Sequence, residues 1–203
     1  MFVLTAAPSR ADVQTQHISD TSVRIGPLEP LWHFRVRTTP EGGGVAQVRT
    51  GPILTAELHE RVALIGGYYF TRSKEEQTWT TIHRPFGGLE VALWNRALEV
   101  DFRSLVERFI AASAPDSARF RNRIRVSPAS ETAPYVSVEA FLDADGLTSM
   151  RYSFGVRHTM AKDLIVDFGY FYENRRPATG ADRHMIATTF HWRNRNKRID
   201  ADP

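Results

Sequence analysis

From Leu98 to Leu142, apolar and charged residues alternate with a period of two, and this alternation narrows the possible folds more than any other property of the chain. In an extended strand, alternate side chains point to opposite faces. Leu98, Val100 and Phe102 therefore share one face, while Glu99, Asp101 and Arg103 share the other. Arginine fills every second position from Arg119 through Arg121 and Arg123 to Arg125, facing away from Phe120, Ile124 and Val126. Farther on, Val136, Val138, Ala140 and Leu142 oppose Ser137 and Glu139. A sheet with one apolar face and one densely charged face has to house both.

The rest of the chain reads as strand-sized segments separated by turn signals, and no segment has convincing helical spacing. The nearest, Val100 to Ala112, has its charges on alternate residues from Glu99 to Arg103, as a strand would. Strands are expected over Asp12 to Ile25, with an early break at Ser19-Asp20, and over Leu31 to Thr38, with a flexible turn from Pro40 to Gly44. Val45 to Leu58 and Arg61 to Arg72 form a hairpin through His59-Glu60, and Ser73 to Gln77 reads as an exposed loop. Pro85-Phe86-Gly87 separates Thr78 to Arg84 from Gly88 to Trp94, because proline cannot donate a ladder hydrogen bond. Ser149 to His158, Asp163 to Glu173 and Arg183 to Arg193 complete the set. The expected architecture is all-β, a single closed antiparallel transmembrane β-barrel of about 12 strands, with 10 or 14 also admissible.

Composition restricts the function classes. The 203 residues include 42% apolar residues at a mean hydropathy of -0.34, and no stretch offers the roughly 18 uninterrupted apolar residues of a spanning helix. A spanning barrel escapes that test, since only alternate residues meet lipid. There is no cysteine, so disulfides and thiol-ligated metals are excluded. A net charge of +3 and a pI near 9.4 would suit a nucleic-acid partner. The arginines alternate with Glu and Asp instead of gathering in a patch, which argues for no nucleic acid.

A water-soluble barrel turns its apolar face inward, whereas a membrane barrel turns it outward. Arginine and carboxylate at nearly every alternate position favour the second arrangement. The expected lumen-lining set is Glu99, Asp101, Arg103, Glu107, Arg121, Arg123, Arg125, Glu139, Arg151, Arg157 and Asp167. Val100, Phe102, Ile124, Val138, Leu142, Phe154 and Phe168 are expected to face lipid. Tyr68, Phe70, Phe109, Phe120, Tyr135, Phe141, Tyr170, Tyr172, Phe190 and Trp192 lie mostly near strand ends, where rings would meet lipid head groups. The lumen charges either pair across neighbouring strands and plug the barrel, or leave an arginine excess that selects small anions.

Beyond the barrel at 12–193, residues 1–11 resemble the remnant of a secretory signal, with small residues at Ser9 and Ala11, and 194–203 read as a basic disordered tail. Phe190 and Trp192 on the last strand look like the signal read by barrel-assembly machinery, although Ala187 stands where glycine is usual.

The succession SLVERF (Ser104 to Phe109), RNRIR (Arg121 to Arg125), YVSVEAF (Tyr135 to Phe141) and MRYSFGV (Met150 to Val156), with HRPF (His83 to Phe86) upstream, resembles an uncharacterised family of bacterial outer-membrane β-barrels known only as a domain of unknown function. The resemblance covers roughly residues 78–193. It implies an outer-membrane location, with outer-membrane lipid as partner, and supplies no substrate.

No catalytic motif stands out. His158-Thr159, His83, His59-Glu60 and His184 form no His-x-Ser pairing suited to an activated hydroxyl, and no metal-ligand spacing occurs. The expectation is no enzyme and no cofactor. Gly66-Gly67 and Gly87-Gly88 precede neither a helix nor a phosphate-binding lysine, so their expected role is curvature or close strand approach. The competing reading is a soluble periplasmic β-barrel or sandwich that binds a small ligand. A lipid-modifying enzyme at the barrel rim ranks below it.

Overall fold

The computed structural model describes residues 13–39, 44–75, 78–112, 114–176 and 182–194. The expected signal remnant and all but the first residue of the expected tail lie outside them. Eleven strands form a closed barrel in sequential order, with no helix among the described residues. They are β1 (Val13–Val23), β2 (Leu28–Thr38), β3 (Val45–His59), β4 (Val62–Glu75), β5 (Thr78–Asn95), β6 (Leu98–Ala111), β7 (Ala114–Pro128), β8 (Thr132–Asp143), β9 (Gly146–Ala161), β10 (Leu164–Arg175) and β11 (Arg183–Asn194).

Every consecutive pair is antiparallel, and the seam between β1 and β11 is parallel, running from Val13 opposite His184 to Val23 opposite Asn194. An odd number of up-and-down strands must end pointing the way it began, so the expectation of an antiparallel barrel holds everywhere but at this seam. Closure leaves no edge strand among the described residues, and each ladder finds its backbone partners within the wall.

One strand accounts for the difference between 12 and 11. Pro85-Phe86-Gly87 does not break the chain: β5 passes straight through it as an 18-residue strand. On the β4 side Pro85 sits opposite Tyr68 in an unbroken register. On the β6 side the register is the same at His83 opposite Ile110 and at Phe86 opposite Glu107, with Arg84 and Pro85 left unmatched between them. The missing proline donor is absorbed as a local gap in one ladder. Two other boundaries move similarly. β1 continues through Ser19-Asp20, and β4 reaches Glu75, so most of the polar run expected as a loop is strand.

Glycine is required where strands approach closely. A Cβ on Gly88 would lie 1.9 Å from the Ser104 carbonyl oxygen, and one on Gly67 would lie 2.7 Å from both the Phe86 ring and the Pro52 carbonyl. Their neighbours Gly87 and Gly66 would meet nothing closer than 3.9 and 3.8 Å, so only one member of each pair serves close approach.

The two faces of the wall have opposite chemistry. Trp32, Phe34, Leu54, Leu64, Val106, Phe120, Ile124, Val136, Phe154 and Phe168 are exposed on the outside. The buried set contains Arg49, Arg84, Glu107, Arg125, Glu139, Asp167 and Glu173, interleaved with Phe86, Leu105, Phe141, Phe171 and Met185.

Candidate functional site

The period-two alternation of β5 to β10 sends alternate side chains inward, many of them charged, and the barrel's curvature brings those from neighbouring strands together. Glu107 on β6 is fully buried, 0% exposed. Its carboxylate accepts hydrogen bonds from Arg84 Nη2 at 2.8 Å, Arg119 Nε at 3.1 Å and Nη2 at 2.7 Å, and Arg121 Nη1 at 2.9 Å. One carboxylate thus gathers three guanidinium groups from the strands on either side.

Arg121 reaches onward from the same position. Its Nε and Nη2 donate to Glu139 Oε1 on β8 at 3.1 and 2.8 Å. Glu139 also faces Arg103 from β6 at 3.6 Å and Arg151 from β9 at 3.3 Å. Arg151 then pairs with Glu173 on β10, which faces Arg175 at 3.8 Å. The result is a continuous belt of alternating charge along the inner wall from β5 to β10. Aromatic plates fill its gaps: Arg84 lies 4.4 Å from the Phe109 ring centre, Arg119 4.9 Å from Phe141, and Arg151 4.6 Å from Phe171. Stacking suits the flat, weakly hydrated guanidinium.

A second cluster centres on Asp167 of β10. It accepts from Arg157 Nε at 2.8 Å and Nη2 at 3.0 Å, and faces Arg125 of β7 at 3.7 Å. β7 and β10 are not neighbours, so the Arg125 contact crosses the interior. His191 stands between Asp167, at 3.6 Å, and Asp20 of β1, at 3.3 Å, and Asp20 also bonds His33 Nδ1 at 2.7 Å. Tyr135 projects over Gly155 and Gly169, where a Cβ would come within 2.7 and 2.4 Å of its hydroxyl, and Arg125 caps the ring at 4.0 Å.

Glu107, Arg121, Arg125, Glu139, Arg151, Arg157, Asp167 and Arg103 thus enter one of the two networks. Arg123 pairs with Glu90 at 3.4 Å. Glu99 and Asp101 lie half-buried and make no ion pair among the described residues. Ile124, Val138, Phe154 and Phe168 are exposed on the outer wall, while Val100, Phe102 and Leu142 are half-buried. Tyr170 bonds His184 and Tyr172 bonds Asp182 at the start of β11, and Phe190 and Trp192 are exposed toward its other end. The Tyr172 hydroxyl and the Arg175 N–H hold the Asp182 carboxyl, just outside the strands, below its ordinary range.

Three aromatics expected at head-group level point inward instead. Phe109, Tyr135 and Phe141 stack on arginines. Their parity, in phase with Glu107 and Glu139, already assigned them to the charged face, and proximity to strand ends was the weaker signal. Sequence reasoning left Arg84, Arg119 and Glu173 out of the lining set. The first closes the strand expected to end just before Pro85, and the others continue patterns visible in β7 and β10. It also passed over Arg35, Arg37, Arg49 and Arg183, which face the interior from β2, β3 and β11. No motif pointed to Asp20, His33 and His191, which only barrel closure brings together.

The outer wall carries an apolar groove of about 820 Å³ across β2 to β5, lined by Pro30, Pro52, Leu54, Leu64, Gly66 and Tyr68 among others. No group of three or more His, Asp or Glu side chains suited to a metal ion occurs among the described residues.

Comparison with known proteins yields one family. Residues 26–185 match the family described as "Protein of unknown function (DUF2490)", a span that begins well before the arginine-rich strands and takes in the first third of the barrel. No curated protein and no solved structure matches. The match covers most of the chain, and the protein belongs to the DUF2490 family.

Proposed function

We propose that this protein is a bacterial outer-membrane β-barrel whose interior is occluded by its own ion-pair network, acting as a structural barrel and not as a wide channel. The observation that carries the reading is the inverted polarity of the wall. Ile124 is 49% exposed and Phe168 59%, while Glu107 is 0% and Arg84 3%. Water would penalise so many exposed apolar side chains on a closed sheet, and hydrocarbon would not. Outer-membrane lipid is the partner this outer wall fits, and the outward Phe190 and Trp192 suit recognition by barrel-assembly machinery.

The test is behaviour in detergent. A folded membrane barrel should require micelles to stay dispersed and should migrate faster on a gel unheated than boiled. A protein that is soluble and monomeric without detergent would overturn the reading in favour of a periplasmic barrel.

A second reading, a narrow anion-preferring pore, is favoured by one observation: arginines outnumber carboxylates on the inner wall of β2 and β3. Planar-bilayer recordings would then show small conductance favouring anions, altered by Arg123→Glu or Arg125→Glu. Absence of conductance leaves the occluded barrel.

A further inference from the structure

Every arginine of the belt from β5 to β10 meets a carboxylate, and among the described residues the arginines on the inner wall of β2 and β3 meet none. Arg35 and Arg37 project inward from β2, and Arg49 stands opposite Arg35 on β3. Arg183 opens β11 at the same end of the barrel, where β1 begins and β2 finishes. Among the described residues none of these four has a carboxylate within ion-pair distance. Their contacts with protein are meagre. Arg35 donates to Gln47, Arg49 Nε donates to Thr71 Oγ1 at 3.3 Å, and Arg49 lies 4.9 Å from the centre of the Tyr69 ring. Arg35 stands among Arg37, Arg84 and Arg151, all positive. Glu173, opposite Arg183 across the β10–β11 ladder, is the carboxylate that acts on Arg37 and Arg183, and it is already paired with Arg151 and Arg175.

Burial makes this arrangement unusual. Arg49 is only 7% exposed, and the Nε atoms of Arg35 and Arg37 are buried with no hydrogen-bond partner. Arg35, Arg37 and Arg183 are half-buried. A guanidinium withdrawn from water without a counter-charge is destabilising, and gathering several together compounds the cost. Gln16 and Gln47, both buried, add amide groups to the same wall, with Gln16 opposite Arg37 on one side and Gln47 on the other. Such a set of forked donors, with amide oxygens and a hydroxyl but no carboxylate to receive them, matches the several oxygens of a tetrahedral anion.

We infer that the end of the barrel interior formed by Arg35, Arg37, Arg49 and Arg183 is a binding site for a small, multiply charged oxyanion of the phosphate type. The ligand provides the acceptor oxygens that carboxylates provide to the arginines elsewhere in the barrel. Arg37 lies one residue from the end of β2 and Arg183 at the start of β11, so the ligand enters from water at that end. An interior site excludes acyl chains, so the partner is a soluble anion. The inference rests on the closed interior and not on membrane location.

The experiment uses the full chain refolded in zwitterionic micelles, with inorganic phosphate as probe and chloride at equal ionic strength as control. Phosphate should raise the melting temperature beyond chloride. Calorimetric titration should show affinity falling about tenfold or more in Arg37→Gln and in Arg49→Gln, the loss expected for a charge-assisted hydrogen bond. Arg72→Gln, an outward arginine stacked on Trp79, should bind as wild type does. Equal effects of phosphate and chloride, or unaltered affinity in both inner variants, would overturn the site. Should the variants fail to fold, the wild-type chain still decides. Phosphate should protect Arg35, Arg37, Arg49 and Arg183 from phenylglyoxal while Arg72 reacts, and absence of protection refutes the proposal. If the protein proves soluble without micelles, the membrane reading falls and the same titration proceeds in buffer.

Discussion

Two stretches of the inner wall, β5 to β10 and β2 to β3, receive arginines by the same period-two logic but meet them differently. On the first, Glu107 and Glu139 each engage three or more guanidinium groups, and the arginines stack on Phe109, Phe141 and Phe171. On the second, among the described residues Arg35 and Arg49 have only Gln47 and Thr71 as hydrogen-bond partners. The same residue type therefore performs two jobs. Where carboxylates share the wall, arginine is a cross-strand tie that fills the barrel; where they are missing, it is a donor set awaiting an acceptor. Local sequence chemistry does not separate the jobs, because in both regions an arginine simply alternates with an apolar residue.

The contrast can be broken most severely at Glu107. Glu107→Ala strands Arg84, Arg119 and Arg121 without their shared carboxylate. A loss of about 3–5 kcal/mol is expected, the range for removing one partner of a buried pair. Urea titration followed by gel mobility measures it, and a loss below about 1 kcal/mol would mean that the belt holds little of the fold together.

Next in size is a test that both regions share, the outer face. Ile124→Arg puts a charge where hydrocarbon is proposed, at a cost of about 2–4 kcal/mol near mid-membrane. In a water-soluble barrel the same change would be nearly neutral, so refolding yield into vesicles discriminates.

The sparse wall should respond in the opposite direction. Gln47→Glu places a carboxylate beside Arg35, turning β2 and β3 into a copy of the paired region. Stability without phosphate should rise by about 1–3 kcal/mol, the scale of a hydrogen bond to a charged group, and phosphate should lose its stabilising effect. A destabilised variant that still responds to phosphate would contradict the comparison.

The smallest effect is expected at Arg108→Gln. Arg108 faces outward and pairs with Asp116, and both are well exposed. Thermal melting should be unchanged within error, as is usual for a surface ion pair.

Much of the fold was legible in the chain because parity carries through. On β7, Arg119 to Arg125 and their apolar counterparts specify the two faces without reference to any other strand, and the same holds for β9 and β10. Failures came where a local rule met tertiary context. Pro85 reads locally as a break, yet a closed wall tolerates two unmatched residues on the β6 side while both flanking ladders keep their register. Phe109, Tyr135 and Phe141 were placed by their distance from strand ends, although their phase puts them among the arginines. For the candidate site, the candidate residues of β6 to β10 could be named from phase alone, but not their partners. Arg125 finds Asp167 three strands away, and Asp20 reaches His33 and His191 from the closing seam. Nothing in the linear pattern encodes such distances.

By itself, the amino-acid sequence determined that this protein is a sheet with one charged and one apolar face, because backbone geometry alone sends alternate side chains to opposite sides. Only the tertiary structure decided which charges meet. Closure of eleven strands with β1 parallel to β11 gathers carboxylates and arginines on one arc and leaves Arg35, Arg37 and Arg49 without carboxylates on another. Ion pairing depends on distance across the barrel, and curvature and register set that distance.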